Sequence, residues 1–497
     1  MKILAFTAPL TIASALLAST AAAATLPVGP GAKYTTIDDA MAVVQPGDVV
    51  EVQGDQTYTG TIRFRPEHGG TAKQPVTVRG ILVNGKRPLL RQVGPGEWDN
   101  MVVLLNANHF VLESFEVVGD SSDSNICIVN KADDVVLRDL VVHDCLLQGG
   151  LVGNDFDSGS LTLEYSEFYN NGSGDKSHQI YMTTDEMVYP GSVFRMQFCY
   201  VHDGTGGNNV KSRAERNEIY YNWIGGAVYH ELDLIGPVSG DEGIAREDSD
   251  VVGNMLVKTS EWRIARIGGD GSGNTSGRYR FVNNTMVLGE NATTAIGLQE
   301  SVESLEMFNN VIHRPSGGYQ VYNVNEASGP TTAFVGSNNW LLDGATGVPS
   351  EWTMSLTGAS PGWVAPENFD YRPGKDSPLL GQATSLTIAT GVAGALGVPS
   401  PLVLPAFMPP QRRLIASGSA EARIVTGPLD IGAFDPSGKA PGPPVVTPPP
   451  GVAADDDGGD ITGSCGCRVA PASEDAGGWV AMASMAALAL ARRRQRR

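Results

Sequence analysis

Cationic and acidic side chains recur at short spacings near the middle of the chain. Lys211 and Arg213 are two residues apart, as are Glu231 and Asp233. Successive side chains of a β-strand point to opposite faces, so residues two apart share one face. A lysine or an arginine beside a bound carboxylate can neutralise it and assist removal of a neighbouring carbon-bound proton. Paired carboxylates supply the oxygen ligands that Ca²⁺ prefers, so Glu231 and Asp233 are the candidate metal ligands.

Aromatic and basic residues flank these two pairs. The segment SHQIYM carries His178 and Tyr181, and its apolar alternation turns Tyr181 outward. Tyr229 and Arg263 have outward positions in later segments, whereas the alternation slips beyond Arg263 and leaves the direction of Arg266 open. Tyrosine and histidine can both transfer protons. The predicted catalytic residues are Lys211, Arg213, His178 and Tyr181. The predicted substrate-binding residues are Tyr229 and Arg263.

Each of these positions also has a purely structural interpretation. The two charged pairs could form a ladder of ion pairs on a solvated face, where each pair contributes little to stability. His178 and His202 lie near turns and could serve there. His230 has inward parity, which is costly unless the ring is hydrogen-bonded. Both interpretations stay open at the level of the sequence.

An asparagine repeat identifies the elements that must position these side chains. Five similar segments, YYNWIG, VGNMLV, NNTMVL, NNVIH and NNWLL, each align one asparagine. The aligned residues are Asn222, Asn254, Asn284, Asn310 and Asn339. A near-constant period of roughly 30 residues is typical of a solenoid. Short runs rich in β-branched residues alternate with Gly-rich turns, which favours strands throughout.

The predicted strands must stack without helical crossovers. A parallel sheet normally needs such crossovers, but a coiled chain of strands avoids them by rising one strand spacing in each coil. At an inward bend each repeated asparagine can bond the backbone of the next coil, so the stacked amides form a ladder. Asparagine also tolerates the left-handed backbone of a tight bend. Coils about 4.8 Å apart would combine Tyr, Lys/Arg, Glu/Asp and Arg side chains of four coils into one strip.

The chain resembles the right-handed parallel β-helix superfamily, which includes the pectate-lyase-like and chondroitinase-B-like proteins. KYTTIDDAMAVVQPGDVVEV (33–52) resembles the family's opening, with a short amphipathic capping helix, a turn and the first strand. SPLLGQA (377–383) and GPLDIGAFD (427–435) resemble the family's last coil. A cap covers the apolar end of a solenoid. The predicted fold class is therefore all-β, a right-handed parallel β-helix solenoid with a short N-terminal capping helix.

The resemblance implies a function on carbohydrate. The predicted strip is similar to the substrate groove of β-helical polysaccharide enzymes, which implies an acidic polysaccharide as partner and Ca²⁺ as cofactor. β-Elimination is favoured over hydrolysis, because the hydrolase motifs NTD, GDD, GHG and RIK do not occur here in order. The pectate lyase segment vWiDH is also absent. A hydrolase, an epimerase and a non-catalytic adhesin or structural module remain alternatives, since one fold hosts many activities.

Both ends of the chain have the character of targeting segments. Residues 1–24 combine one lysine, an apolar stretch and an alanine run, which is typical of a secretory signal peptide. The alternative is a buried helix. The β-helix domain is predicted at 25–435, and a Pro/Asp-rich disordered linker at 436–463. Residues 464–497 hold a Cys motif, a short apolar segment and an Arg cluster, and they resemble the MYXO-CTERM sorting signal.

That resemblance implies how the mature protein is displayed. A sorting protease would cleave near Cys465 or Cys467, leaving a secreted protein anchored at the cell surface or outer membrane. The apolar run at 479–491 is short for a transmembrane helix of roughly 20 residues, although flanking glycines and arginines could lengthen it. A plain C-terminal membrane anchor is the alternative. Contact with a membrane is expected only through this tail.

Charge and cysteine content narrow the partners. The formal net charge of −19 at pH 7 disfavours nucleic acid as a partner, and an acidic polymer would need a local basic patch. Three cysteines, Cys127, Cys145 and Cys199, lie in the predicted fold. Cys127 and Cys145 could pair, or all three could be small buried apolar residues. A monomer is expected.

Overall fold

Three long parallel sheets make up most of the protein. The computed structural model describes residues 22–91, 100–119, 126–146, 149–153, 157–236, 248–269, 275, 277–324, 332–384, 404–424 and 427–441. The chain divides into one unit at Met1–Asp460 and another at Ile461–Arg497. The second unit, the first 21 residues and most of the predicted linker lie outside the described residues.

Successive strands fall in turn into the three sheets, here named A, B and C. Sheet A has the order β1 (Thr25–Val28), β2 (Val49–Gln53), β5 (Val76–Ile81), β8 (Phe110–Glu113), β11 (Val135–Arg138), β14 (Leu161–Glu164), β17 (Val193–Gln197), β20 (Arg216–Tyr220), β23 (Asp248–Val252), β26 (Arg278–Val282), β29 (Ser304–Phe308) and β32 (Ala333–Ser337). Sheet B has the order β3 (Thr57–Thr59), β6 (Leu89–Arg91), β9 (Glu116–Val118), β12 (Val141–His143), β15 (Glu167–Tyr169), β18 (Tyr200–His202), β21 (Trp223–Gly225), β24 (Met255–Lys258), β27 (Thr285–Leu288), β30 (Val311–His313), β33 (Trp340–Leu342) and β34 (Leu356–Gly358). Sheet C has the order β4 (Ile62–Phe64), β7 (Asn100–Leu105), β10 (Ile126–Lys131), β13 (Gly149–Gly153), β16 (His178–Thr183), β19 (Val210–Arg213), β22 (Leu232–Ile235), β25 (Arg263–Gly268), β28 (Thr294–Leu298) and β31 (Gln320–Val324).

The remaining described elements are short. Helix α1 spans Ile37–Met41, and single 3₁₀ turns span Pro66–His68 and Pro366–Asn368. Strands β35 (Trp363–Ala365) and β36 (Asp370–Pro373) form an antiparallel pair.

This arrangement confirms the predicted parallel β-helix. Each strand pairs in parallel with the strand one coil before it, so buried apolar residues stack in columns along the axis. One such column in sheet A contains Val50, Val78, Leu112, Leu137 and Leu163, each at most 1% exposed. The coil is right-handed, the hand that connections between parallel strands take in nearly all proteins.

Helix α1 is the predicted capping helix. It begins after Thr36, whose hydroxyl oxygen accepts the backbone N–H of Asp39 at 3.1 Å, a side-chain N-cap. Ile37, Ala40 and Met41 are buried against the first coils. The prediction from residues 33–52 is therefore confirmed for the helix and for the first strand after it.

The asparagine ladder is also confirmed. Each of the five aligned asparagines is 0% exposed. The backbone N–H and the side-chain amide of Asn254 both donate to Asn284 Oδ1, at 2.9 and 3.0 Å. The same pair of bonds links Asn284 to Asn310. The left-handed bend falls on the residue before each ladder asparagine, as in Tyr221 with a φ of 57°. At three of the five bends that preceding residue is itself an asparagine, Asn283, Asn309 or Asn338.

The predicted last coil has another arrangement. The segment at 427–435 forms no strand and runs back over earlier coils. Gly432 donates its N–H to the Asn309 carbonyl at 2.8 Å, and the Phe434 ring lies 6.4 Å from that of Trp223. The segment therefore covers the bend between sheets A and B instead of extending the solenoid.

One disulfide lies within the described residues. Cys127 and Cys145 are joined across a sequence separation of 18, so the first of the two interpretations offered by the sequence holds for this pair. Cys199 is a buried thiol. No helix among the described residues is long and apolar enough to cross a membrane, and the apolar run at 479–491 lies outside them.

The outer face of sheet A carries a ladder of alternating charge. Arg79 lies between Glu51 and Glu113, at nitrogen–oxygen distances of 2.7 and 3.9 Å. Arg138 lies between Glu113 and Glu164, at 3.1 and 2.6 Å. Parallel register brings these side chains together because each coil repeats the outward position of the previous one. An ion-pair ladder of the kind considered for the central strip is therefore a scaffold feature of this fold.

The outer face of sheet B carries two histidines clamped by carboxylates. His143 Nδ1 lies 2.8 Å from Asp144 and its Nε2 lies 3.2 Å from Glu116. His202 repeats the arrangement with Asp203 at 2.7 Å and Glu167 at 3.2 Å. The Tyr169 ring stacks between the two imidazoles, with centroids 4.7 and 5.3 Å away. Both ring nitrogens face acceptors, so each imidazole is held in its doubly protonated form.

The His143 clamp predicts that stability falls at alkaline pH. Burial lowers the pKa of His143, but the hydrogen bonds and charges of Asp144 and Glu116 outweigh it and raise the pKa to about 9. Since the unfolded pKa is 6.5, this stabilisation is complete below pH 6.5 and is lost as the pH rises through about 9. The melting temperature should fall across that range in the wild type, and the fall should be smaller in His143→Gln.

His313→Gln is the matched control for this measurement. Burial lowers the pKa of His313 to about 4, so its imidazole is neutral throughout pH 6.5–9. Replacing His313 should leave the pH dependence of the melting temperature unchanged. Equal pH profiles for the wild type and His143→Gln would contradict the role of the clamp.

Candidate functional site

Sheet C brings the predicted strip together in register. Strands β16, β19, β22 and β25 are consecutive neighbours. Tyr181 pairs with Lys211, Lys211 with Asp233, and Asp233 with Arg266. These four residues occupy one outward column, here called the central strip. The prediction that side chains from four coils are neighbours is confirmed, although their chemical roles are not tested by it.

Tyr181 is the partly exposed member at one end of the central strip. Its hydroxyl oxygen accepts the Nε–H of Arg213 at 3.1 Å. Arg213 is 1% exposed and also donates to the Gly236 carbonyl at 2.6 Å. The Lys211 ammonium lies 5.0 Å from the Tyr181 ring centroid, within the range of a cation–π contact, and this residue is 2% exposed. Two nearly buried cations therefore support one accessible phenol.

Asp233 and Arg266 form the other half of the central strip. Arg266 donates from Nε and Nη2 to the two carboxylate oxygens at 2.6 and 2.8 Å, a bidentate pair. Asn208 Nδ2 adds a third bond at 3.0 Å. Burial raises the pKa of Asp233, but the opposite charges of Arg266 and Lys211 outweigh it and hold the pKa well below its usual range. Asp233 is therefore an ionised carboxylate that holds Arg266 in place.

Arg263 and Tyr229, the predicted substrate-binding residues, lie beside the central strip. Arg263 extends over Gly297, where an added Cβ would lie 2.4 Å from its side chain, and bonds Asn323 Oδ1 at 2.9 Å. Tyr229 is partly exposed, with its ring 5.2 Å from that of Trp262. The column position next to Asp233 belongs to Arg266, which the sequence left open.

His178 has a supporting position rather than a catalytic one. It is 4% exposed, and its Nδ1 accepts the backbone N–H of Asn208 at 3.0 Å. Burial and the nearby charge of Lys211 lower its pKa well below 6.5, so the ring is neutral and its proton is on Nε2. The acceptor nitrogen is thus already engaged. Because the ring meets Tyr181 edge-on at 5.6 Å, His178 is suited to orienting that phenol.

His230 is the satisfied core histidine that its inward parity indicated. It is 5% exposed, and burial lowers its pKa to about 3. The ring is therefore neutral, and its Nδ1 lies 3.2 Å from the carbonyl oxygen of Arg263. Because a carbonyl oxygen can only accept a hydrogen bond, Nδ1 carries the proton.

The position of Glu231 does not suit the metal ligand that the sequence predicts. Glu231 is 0% exposed and lies with Gln179 and Asn209 in a second column, two residues before the central strip, whose three members are all 0% exposed. Its carboxylate accepts Asn209 Nδ2 at 2.6 Å and lies 3.5 Å from Lys258 Nζ. Asn209 in turn accepts Gln179 Nε2 at 2.7 Å, so Gln179 is buried as well, although its parity is outward. Burial raises the pKa of Glu231 and lowers that of Lys258.

The described residues do not fit the predicted Ca²⁺ site. Ca²⁺ takes six to eight oxygen ligands, and both oxygens of Asp233 already accept from Arg266 while Glu231 is turned to Lys258. Two further carboxylates, those of Asp203 and Glu215, are engaged elsewhere. Asp203 clamps His202 in sheet B, and Glu215 accepts the Gly191 N–H at 2.6 Å. Within the described ranges, no cluster of three or more His, Cys, Asp or Glu residues could hold a metal ion.

Two residues near the central strip were missed by the sequence. Asn208 joins three groups: its N–H bonds His178, its Nδ2 bonds Asp233, and its Oδ1 accepts the His230 N–H at 2.9 Å. In the sequence, Asn208 belongs to the pair Asn208–Asn209 directly before β19, and such a pair is typical of an ordinary turn. Trp262 is 39% exposed beside Tyr229. The sequence feature that could have identified Trp262 is a large aromatic residue at the point where the strand alternation breaks down.

Two long loops, at 183–192 and 236–247, could form the walls of a groove beside the central strip, and they are only partly described. The loop at 183–192 is described, and its Thr184, Asp185 and Glu186 are buried while Met187 is 59% exposed. The second wall falls almost wholly at 237–247, outside the described residues. The depth of a groove beside the central strip therefore stays a prediction.

Comparisons with known proteins give a likeness of fold. No protein-family model matches the chain, and no curated protein matches it. Among solved structures, the chain is similar to pectate lyase Pel9A, with 14% identity, a TM-score of 0.49, and coverage of 83% of this chain and 96% of that one. It is similar to an alginate lyase from Paenibacillus sp. str. FPU-7, with 14% identity, a TM-score of 0.35, and coverage of 68% and 99%. A pectin methylesterase from Aspergillus niger gives 13% identity, a TM-score of 0.34, and coverage of 68% and 91%. At these values no activity and no site residue is transferred.

Removing the charge of Arg266 should destabilise the protein strongly. Arg266→Gln leaves Asp233, which is 0% exposed, without its charged partner, a change that costs about 3 kcal/mol for a buried pair. The free energy of unfolding in urea should report this loss at pH 7. The difference from the wild type should shrink as the pH falls below 3.8, the ordinary pKa of Asp233, because the variant carboxyl is then protonated.

Arg195→Gln is the matched control. Arg195 also pairs with a carboxylate, Glu218 at 2.7 Å, but its side chain is 46% exposed. Exposed pairs contribute about 0–1 kcal/mol, so this variant should change stability little. Equal losses in the two variants would contradict the buried role assigned to the Asp233–Arg266 pair.

Proposed function

We propose that the outer face of sheet C around Tyr181 binds an acidic polysaccharide and cleaves it by β-elimination. The observation that carries the proposal is the central strip, in which Tyr181 and Lys211 stack in register and Arg213 donates to the phenol oxygen. The central strip and the adjacent Arg213 together gather three cations within a chain whose formal net charge is −19. A uronate polymer would be held by this local patch against the repulsion of the rest of the protein.

Elimination requires three linked events on one sugar unit. A cation neutralises the uronate carboxylate, which acidifies the proton on C5. A base removes that proton, the C5–H electron pair forms a double bond to C4, and the C4–O bond breaks. The leaving oxygen then takes up a proton. Tyr181 is the partly exposed proton-transfer group here, and the N–H of Arg213 supports negative charge on its oxygen.

The carboxylates near the central strip disfavour hydrolysis. A glycoside hydrolase needs one carboxyl group that is protonated at working pH and a second that is ionised. Asp233 is held ionised by Arg266, with both oxygens engaged. Glu231 is buried against Lys258 and 0% exposed. Neither carboxyl group is placed to protonate a leaving oxygen, so elimination through Tyr181 is the better match.

A non-catalytic surface module is the second candidate function. The bidentate Asp233–Arg266 pair favours it, because an ion-paired strip was its expected signature. The charge ladder of sheet A shows that this fold uses such pairs for stacking alone. This alternative predicts that neither Tyr181 nor Lys211 affects any reaction.

Tyr181→Phe tests the proposed reaction. The purified β-helix protein is incubated with alginate, pectate and chondroitin, with added Ca²⁺ and with a chelator, and the ultraviolet absorbance of unsaturated products is followed. The wild type should form product from at least one polymer. Loss of the proton-transfer group should lower kcat by about 100-fold or more, with a smaller change in KM, because the cations that hold the carboxylate remain.

Tyr322→Phe serves as the control, since Tyr322 lies on the same sheet and packs against Phe334 rather than the strip. It should retain wild-type rates. The double variant Lys211→Ala with Arg213→Ala should lose binding of the polymer. The proposal is overturned if the wild type gives no product on this panel and the double variant binds as the wild type does.

We also propose that the chain is secreted and displayed at the cell surface after cleavage by a sorting protease. The support is the sequence at residues 1–24 and 464–497. Mass spectrometry of the protein released from intact cells should find an N-terminus near residues 22–24 and a C-terminus near Cys465 or Cys467. An intact chain recovered only from the cytoplasm would contradict this proposal.

A further inference from the structure

An exposed aromatic patch lies beside the central strip. Trp262 is 39% exposed and Val228 is 38% exposed, whereas Tyr229 between them is partly buried. The rings of Tyr229 and Trp262 lie 5.2 Å apart at an angle of 60°. These residues come from the segments that precede β22 and β25, so adjacent coils supply the two rings. The patch therefore lies where two adjacent coils enter sheet C, just before β22 and β25.

The backbone of Trp262 has an unfavourable conformation. Its φ is 76°, in the left-handed region that bulky residues rarely adopt. After Arg263, the residues Ile264 and Ala265 are both buried, which breaks the alternation of the strand. That break leaves the indole on the outer face. Strain of this kind persists only where the surrounding structure enforces it, and it concentrates at binding sites.

Hydrogen bonds tie the patch to the central strip. The edge of His230 faces the Trp262 ring at 6.1 Å, and His230 Nδ1–H bonds the carbonyl of Arg263. The His230 N–H bonds Asn208, whose amide bonds Asp233. The positions of the indole and of the Asp233–Arg266 pair are therefore fixed by one network.

The charges around the patch are unequal. Arg263 follows Trp262 directly, and burial and the neighbouring charge of Arg266 lower the pKa of Arg263. On the other side, burial and the charges of Asp175 and Glu261 raise the pKa of Tyr229. A ligand that carries both an apolar ring face and a carboxylate would lie with its carboxylate toward the arginines and away from Asp175.

We propose that Trp262, with Tyr229, is a stacking site for the C–H face of a uronate ring, one subsite of the polymer that binds the central strip. The inference rests on the proposed function and extends it, because it adds a residue that fixes the position and direction of the polymer. An aromatic platform next to a cation matches an acidic sugar, which is apolar on its ring face and charged at its edge. The polymer then crosses from Trp262 toward Tyr181, over the cations.

Trp262→Ala tests the stacking site. Binding of galacturonate, mannuronate and guluronate hexamers is measured by titration calorimetry. The affinity for the hexamer that the wild type binds best should fall about tenfold in Trp262→Ala, the equivalent of one lost aromatic contact. Trp262→Phe, which keeps an aromatic face, should lose less than Trp262→Ala. Met354→Ala, at a residue that is 75% exposed and away from sheet C, should bind as the wild type does.

The outcomes separate this inference from the proposed function. If Arg266→Gln loses binding while Trp262→Ala retains wild-type affinity, the stacking site is overturned and the proposed function stands. If the wild type binds none of the acidic hexamers, the proposed function fails and the uronate subsite is overturned with it.

Discussion

Every coil of this protein must place a bend about 4.8 Å above the previous bend without leaving buried backbone groups unbonded. In the coils from Asn222 to Asn339 the asparagine ladder meets that requirement. In Asn254 and Asn284 the amide nitrogen donates to the next coil, and it also bonds a backbone carbonyl of the coil before it, Ile219 and Val251 respectively. The ladder fixes how far each coil is rotated relative to its neighbour. The register of all three outer faces depends on that rotation.

Because the register is fixed, side chains at the same outward position of successive coils stack in a column and contact one another. Sheet A uses such columns for ion pairs, and sheet B uses them for imidazole and phenol rings between carboxylates. Sheet C stacks an aromatic, two basic and one acidic side chain in a single column. That column differs from those of sheets A and B in one respect. Tyr181 and Arg266 keep part of their surface exposed, while Lys211 and Arg213 beneath them are nearly buried. This combination of exposed groups and nearly buried cations is the basis of the proposed binding surface.

The sequence predicts the contacts that follow from the regular coil repeat, and it fails at positions where the chain departs from that repeat. The neighbours Tyr181, Lys211 and Asp233 follow from the repeat and from alternation alone. Glu231 was assigned to the surface because its parity is outward, but residues before a strand belong to a bend, and there the chain folds over them. Arg266 was left open since two consecutive buried residues precede it. Asn208 lies in a turn, where neither the coil repeat nor strand alternation applies. Its three hydrogen bonds therefore become visible only in the structure.

The disulfide has a consequence for where the chain folds. Cys127 lies at the start of β10 and Cys145 just after β12, so the bond closes most of one coil into a covalent ring. Disulfides of this kind persist in oxidising compartments and are kept reduced in the cytosol. Both sulfur atoms lie in the apolar core, where reduced cysteines also pack as small apolar side chains. Formation of this bond therefore requires an oxidising compartment, and its reduction would leave two buried thiols in the apolar core.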